Sequence, residues 1–115
     1  MRDHTKLKAF HLADELALCI FRETGAFPVE ERYGLARQIR RSAVSVASNI
    51  VEGCARRTEA DFLHFLDMAY GSSRKLEYQL SLASRLAYLP SESELPARAV
   101  EVSKILNTLI RSLRD

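Results

Sequence analysis

Tryptophan is absent from this chain of 115 residues, and glycine, proline and cysteine are scarce, with four, three and two residues respectively. Because glycine and proline are the residues that most often interrupt regular structure, their scarcity predicts few breaks between long elements. The formal net charge is only +2 at pH 7. So small an excess excludes binding of polyanions through total charge, and any affinity for nucleic acid must depend on where the charges lie.

The two cysteines also exclude a disulfide framework and a cysteine-based metal site. Cys19 and Cys54 have neither a CxxC partner nor a histidine at metal-ligand spacing. We therefore expect two buried free thiols in a reducing compartment. A disulfide between two helices is the alternative.

Long hydrophobic runs are missing as well. The longest unbroken apolar run covers residues 16–21, whereas a membrane-spanning helix needs about 20 apolar residues. No apolar segment is followed by a small-residue cleavage site, so the signature of a signal peptide is absent. The sequence thus predicts a cytoplasmic protein that has no membrane partner.

The residues that are present predict a single helical domain. Hydrophobic residues make up 47% of the chain and charged residues 28%, which is typical of one globular domain, here spanning residues 1–115. Apolar residues recur at spacings of three and four, which is the period of a helix. We predict helices at residues 6–24, from 28 to 53 or 54, and at 58–89, and a fourth capped by Ser91 or Ser93. Gly25 should end the first helix and Thr58 should cap the third.

Short connections between these helices predict an all-α, antiparallel, up-down-up-down four-helix bundle. The same spacing identifies one core-facing stripe on each helix. The expected core residues are Ala9, Ala13, Leu16 and Ile20; Ala36, Ile39, Ala43, Val46, Ile50 and Cys54; Phe62, Leu66, Ala69, Ser73, Leu76, Leu80, Ala83 and Ala87; and Leu95, Ala99, Val102, Leu106, Leu109 and Leu113.

Apolar and small residues also lie outside these stripes, and a bundle of this size can bury only part of them. Contiguous exposed apolar patches are rare on monomers, so the surplus predicts an interface between copies of the chain that assemble into a ring. A wide core stripe in a tightly packed monomer is the alternative. The expected interface residues are Tyr33, Val44, Ser48, Val51, Phe65, Met68 and Ser72.

Positive charge is concentrated on and just after the second predicted helix. Between positions 37 and 57 one acid, Glu52, accompanies five arginines, which gives this segment a net charge of +4. Such arginines can hold a phosphate backbone, pair with carboxylates across a subunit contact, or form a solvated helix face. No aromatic residues alternate with them, so backbone contacts with little sequence discrimination are expected. The candidate nucleic-acid-binding residues are Arg37, Arg40, Arg41, Arg56 and Arg57.

Catalysis has little support in the sequence. His4 and His11 are isolated, and the spacing of His64 from Asp61 and Asp67 is common by chance on a helix. The inward-facing Glu-x-x-His pairs of di-iron bundles are absent, and residues 71–73 do not form a phosphate loop. We therefore expect no enzymatic activity, no metal, no cofactor and no small-molecule substrate.

Residues 27–89 carry a resemblance to a known family. YGLARQIRRSAVSVASNIVEG at residues 33–53 and FLHFLDMAYGSSRKLEYQL at residues 62–80 are similar to the four-helix-bundle family named for reading frames within intervening sequences of bacterial 23S ribosomal RNA genes. The shared positions include Glu31, Gly34, Gln38, Arg41 and Gly53. Lys75 stands where that family often has an acid, and Val51 replaces a frequent alanine.

The resemblance implies a protomer that assembles as a closed homo-oligomeric ring, most often a pentamer. The chain is also similar to the accessory variability determinant protein of diversity-generating retroelements, which implies a basic surface and association with nucleic acid or a reverse-transcriptase-like partner. We therefore expect a non-enzymatic scaffold that binds nucleic acid or a nucleic-acid-processing protein. A purely structural or protein-binding ring is the alternative.

Overall fold

The computed structural model describes residues 1–115 and contains four α-helices and three single 3-10 turns. The helices are α1 (Lys8–Glu23), α2 (Leu35–Cys54), α3 (Glu59–Arg85) and α4 (Leu95–Arg114), and the turns are His4–Lys6, Thr24–Ala26 and Val29–Glu31. Each helix packs against the next, and α4 closes the square by packing against α1. The result is the expected all-α four-helix bundle, with extents of 43 × 22 × 19 Å.

The predicted core stripes of the first two helices are confirmed without exception, because every one of their residues is buried. The stripe of α4 was predicted wrongly at its end. Ile110 is buried, whereas Leu109 and Leu113 are only half-buried. An α-helix turns once in 3.6 residues, so a strict seven-residue pattern drifts off the core within a few turns, and the next buried position after Leu106 is four residues on.

The sequence predicts that the second helix begins at Pro28, but in the structure it begins at Leu35. Gly34, with φ −106° and ψ −116°, breaks the helical path after the turn at Val29–Glu31. The carboxylate of Glu31 then accepts a hydrogen bond from the Leu35 N–H at 3.1 Å. No sequence spacing is typical of a carboxylate that caps a helix from four residues upstream. The sequence pattern therefore predicts the acidic residues in the first turn of the helix, whereas Glu31 lies before it.

The third helix ends at Arg85, four residues before the predicted end. Ala87 has a positive φ of 62°, and the Tyr88 N–H donates to the Ala83 carbonyl at 2.9 Å. This is the left-handed C-terminal cap for which proteins usually use glycine. Ala87 is consequently exposed and not part of the core seam.

The remaining predicted caps have mixed outcomes. Thr58 does cap α3, because its hydroxyl accepts a hydrogen bond from the Asp61 N–H at 3.1 Å. Ser93 accepts one from the Leu95 N–H at 3.3 Å at the start of α4. Gly25, in contrast, does not adopt a positive φ, and α1 ends one residue before Thr24, whose hydroxyl donates to the Ile20 carbonyl at 2.7 Å.

Helices α2 and α3 approach each other closely at Gly53. A Cβ atom built on this glycine would lie 2.9 Å from the Phe65 Cβ and 3.4 Å from Phe62. Next to it, Cys54 is a buried free thiol, while Cys19 is free and half-buried. Burial raises the pKa of the Cys54 thiol, so the reactive thiolate is disfavoured there. None of the four helices combines the length and hydrophobicity needed to cross a membrane.

Candidate nucleic-acid interface

The structure separates the five candidate arginines into two groups. Arg37, Arg40 and Arg41 lie at the start of α2, whereas Arg56 and Arg57 follow its last residue. Nineteen residues of helix separate Arg37 from Arg56, which corresponds to about 28 Å along the axis. The arginines therefore form two surfaces at opposite ends of the bundle and not one continuous patch.

Arg40 belongs to the fold more than to the surface. Its guanidinium donates to the Thr24 hydroxyl at 2.8 Å and to the Phe21 carbonyl at 3.3 Å, and it lies 4.9 Å above the centre of the Phe21 ring. A positive group is favourable here because the C-terminal end of a helix carries a partial negative charge. Arg40 thus fastens the end of α1 to the first turns of α2.

The arginine pair after α2 is partly neutralised by neighbouring acids. Arg56 donates to the Glu52 carboxylate at 2.8 Å and lies 4.7 Å above the Phe65 ring. Close by, Arg2 pairs with Glu59 at 2.6 Å. Exposed ion pairs of this kind contribute little to stability, but they reduce the positive field that a phosphate would meet.

At the other end of α2 the positive charge is not neutralised. An open depression of about 570 Å³, which we name the basic groove, contains four arginines and no acidic residue. The protein's five ion pairs include none of Arg32, Arg37, Arg41 and Lys75. The residues lining the basic groove are Phe21, Arg32, Tyr33, Arg37, Arg40, Arg41, Val44 and Ser45.

A second depression, of about 390 Å³, adjoins the basic groove and shares Arg41 and Ser45 with it. It lies between α2 and α3, and we name it the polar cleft because it contains no hydrophobic residue. Lys75 of α3 brings a second cation to it. The lining residues are Gln38, Arg41, Ser42, Ser45, Lys75 and Gln79.

Gln79 is the most unusual member of the polar cleft. Its side chain lies among core positions of α3 and is only 7% exposed. Its Oε1 atom is buried and has no hydrogen-bond partner, and it is the only such side-chain atom in the protein. Buried polar groups in folded proteins nearly always have a partner, so an exception requires an explanation.

The start of α2, whose first two turns carry three of the five candidate arginines, is held in place by Glu31. Besides capping Leu35, the Glu31 carboxylate accepts a hydrogen bond from the Tyr88 hydroxyl at 3.0 Å. This bond, together with partial burial, raises the pKa of Tyr88. Gly34 leaves room for the carboxylate, because a Cβ there would lie 2.6 Å from Glu31 Oε1.

The seven expected interface residues have different environments. Tyr33 is 78% exposed, Val44 46% and Met68 44%, and Val51 and Ser48 are also exposed. The other two are half-buried and have contacts within the protomer: Phe65 packs against Gly53 and Arg56, and Ser72 forms a 2.9 Å hydrogen bond with Ser45. Five of the seven are thus available to a second chain.

Comparisons with known proteins identify the family. The sequence profile described as 23S rRNA-intervening sequence protein matches residues 5–108. The chain belongs to this family. A similar solved structure, of a protein of unknown function from the S23 ribosomal protein family of Bacteroides thetaiotaomicron, is 26% identical. The similarity covers 90% of this chain and 95% of that one, with a TM-score of 0.82. No curated protein matches the chain.

Several of the residues that suggested the resemblance in the sequence have a role in the fold itself. Glu31 caps α2, Gly34 makes room for that carboxylate, and Gly53 allows α2 and α3 to approach. Gln38 and Arg41, in contrast, have no such role and line the depressions described above.

Sequence reasoning missed several residues that line this surface, among them Phe21, Arg32, Lys75 and Gln79. Phe21 belongs to α1 and reaches the groove only because α1 packs against α2. Lys75 and Gln79 join Arg41 across the α2–α3 contact, more than thirty positions away in the chain. Helical spacing relates residues within one helix, so it cannot predict that residues of α1, α2 and α3 line one surface. Of these four, only Arg32 lies close enough in sequence to the predicted arginines to be grouped with them.

Proposed function

We propose that this protein is a non-enzymatic oligomeric scaffold that binds nucleic acid through the basic groove and the polar cleft. The observation that carries the proposal is the placement of charge. Arg32, Arg37, Arg40, Arg41 and Lys75 surround two adjoining depressions that contain no carboxylate, although the whole chain has a net charge of only +2. A concave surface that carries only positive charges strengthens the local electrostatic potential, which attracts phosphates.

The aromatic residues of the basic groove give the proposed ligand a second point of contact. Tyr33 is 78% exposed, and the Phe21 ring, which also lines the groove, lies under Arg40. Aromatic rings and guanidinium planes are the surfaces on which unpaired bases stack. A single-stranded or looped nucleic acid fits this combination better than a smooth duplex, because only splayed bases can reach the ring of Tyr33.

We further propose that the protomers form a ring of five copies, the number that the family resemblance implies. In a head-to-tail ring two different faces of each protomer meet. The exposed apolar side chains Val44, Val51 and Met68 supply one of these faces, on α2 and α3. A ring would repeat the basic groove around an axis, so that one nucleic-acid molecule meets several copies of it and gains affinity by multivalency.

Salt dependence provides the direct test of nucleic-acid binding. With Arg32, Arg37, Arg41 and Lys75 each meeting one phosphate, affinity for a labelled structured RNA should fall roughly 100-fold between about 50 and 200 mM salt, because each neutralised phosphate releases counterions. Fluorescence anisotropy at several salt concentrations measures this slope. Affinity that is absent, or that does not change with salt, would contradict the proposal.

A purely structural ring is the second candidate, and one observation favours it. A groove between α1 and α4 contains three glutamates and one arginine: Glu15, Glu94, Glu101 and Arg98. In a head-to-tail ring this acidic groove of one protomer is complementary in charge to the basic groove of the next. The arginines would then serve assembly and not a ligand.

The Arg41→Ala variant separates the two candidates. Under the nucleic-acid proposal we expect light scattering to show an unchanged oligomer, while RNA affinity falls about fivefold through the loss of one phosphate contact. Arg111→Ala, which removes an exposed arginine without an ion pair on α4, is the matched control and should change neither property. Loss of the oligomer with unchanged affinity per protomer would establish the structural ring instead.

A further inference from the structure

We infer that the polar cleft holds one ribonucleotide of an RNA strand and that Gln79 recognises its ribose 2′-hydroxyl, so that the protein prefers RNA to DNA. This inference rests on the proposed function and specifies its ligand. It begins from the one buried side-chain atom that the protein leaves without a partner, Gln79 Oε1. A glutamine that is 7% exposed in the middle of a helix has no packing advantage over leucine or methionine there.

The surroundings of Gln79 indicate the chemistry of the missing partner. The polar cleft contains two amides, two hydroxyls and two cations, and no acid. Arg41 and Lys75 have no carboxylate partner within the protomer. A cationic ligand is therefore excluded by repulsion, and an apolar ligand would leave the two cations and the Gln79 amide oxygen without a partner. The ligand must be negatively charged and must also carry a group that pairs with the Gln79 amide.

The spacing of the cation and the amide matches a nucleotide. Lys75 and Gln79 are four residues apart on α3, so they lie on one face with an axial separation of about 6 Å. A phosphate held by Lys75 and Arg41 therefore places the sugar attached to it beside Gln79. Ser42 is buried between them on α2, and Ser45 marks the junction with the basic groove. The rest of the strand would continue past Arg41 toward Tyr33.

A 2′-hydroxyl fits the amide better than the other groups of a nucleotide backbone. It carries a donor, so it can donate a hydrogen bond to Gln79 Oε1 when the amide turns this buried oxygen toward the cleft. Phosphate oxygens and the ring oxygen of the sugar only accept, and they leave Oε1 without a partner. Deoxyribose has no group at this position, so a bound DNA strand would cover the amide and leave it unpaired.

The experiment compares one single-stranded sequence prepared as RNA, as deoxyuridine-containing DNA and as 2′-O-methyl RNA, each labelled for anisotropy. We expect the wild-type protein to bind RNA roughly tenfold more tightly than either analogue, which is the usual effect of one hydrogen bond to a buried group. Gln79→Met keeps a similar volume and removes the amide. It should abolish the preference, so that RNA and DNA bind this variant with equal affinity.

The outcomes separate this inference from the proposed function. Equal, salt-dependent affinity for RNA and DNA in the wild-type protein would overturn the inference and leave the proposed function standing. Absence of binding to all three ligands would overturn both. A Gln79→Met protein that loses its oligomer but keeps the RNA preference would show that a neighbouring protomer occupies the cleft, which also contradicts the inference. The wild-type comparison needs no variant, so it decides even where the variant fails to fold.

Discussion

Replacing Arg37 and Arg41 together by glutamate should lower the affinity for structured RNA about 100-fold at about 0.15 M salt, because two phosphate contacts are lost and two repulsive charges appear. Both side chains are exposed and take part in none of the protein's ion pairs. The free energy of unfolding should therefore change by no more than about 0.5 kcal/mol. Anisotropy titration measures the first quantity, and thermal denaturation followed by circular dichroism measures the second.

The matched control reverses the same number of charges at the far end of α2. In Arg56→Glu with Arg57→Glu, one of the two arginines is already neutralised by Glu52 at 2.8 Å, and neither lines the basic groove. We expect RNA affinity to fall less than about tenfold, through the general field alone. Equal losses in the two double variants would show that net charge decides binding and that the groove has no special role. A larger loss in the control would move the site to the other end of the bundle.

The bundle could be predicted from the sequence because its information is local and periodic. Every predicted core residue of α1 and α2 is buried, from Ala9 to Cys54, since a three- and four-residue spacing follows directly from helix geometry. The helix ends were less predictable. At position 87 an alanine adopts the left-handed cap conformation for which glycine is the usual sequence signal. At the start of α2 the Glu31 side chain caps the helix from outside it.

The candidate site was only half predictable, for a related reason. Arg37 and Arg41 are neighbours on one helix, and their charge is visible in the sequence. Lys75 and Gln79 reach Arg41 only through the packing of α3 on α2, and the separation of Arg56 from Arg37 follows from the length of a straight helix. Gln79 was passed over because it lies between the core residues Leu76 and Leu80, where a buried polar side chain is not expected.

Because of the same packing of α2 on α3, we expect two Gly→Ala substitutions to have opposite effects on the stability of the protein. Gly53→Ala adds a Cβ 2.9 Å from the Phe65 Cβ and 3.4 Å from the backbone oxygen of Phe62. Because these atoms cannot move without shifting α3, we expect the protein to lose about 2 kcal/mol, as overpacked cores do. Gly71→Ala meets nothing within 4 Å, so only the better helix propensity of alanine acts, and the protein should gain roughly 1 kcal/mol.

Thermal denaturation at one fixed protomer concentration measures both changes. With about 4 °C per kcal/mol for a domain of this size, Gly53→Ala should lower the midpoint by about 8 °C and Gly71→Ala should raise it by about 4 °C. Holding the concentration fixed is necessary because assembly adds stability by mass action. Gly71 is exposed in the protomer, so a lowered midpoint in Gly71→Ala, accompanied by a smaller oligomer in light scattering, would place this glycine against a second chain. A Gly53→Ala protein as stable as wild type would mean that α2 and α3 can separate freely, and the polar cleft between them would then have no fixed shape with which to select a ligand.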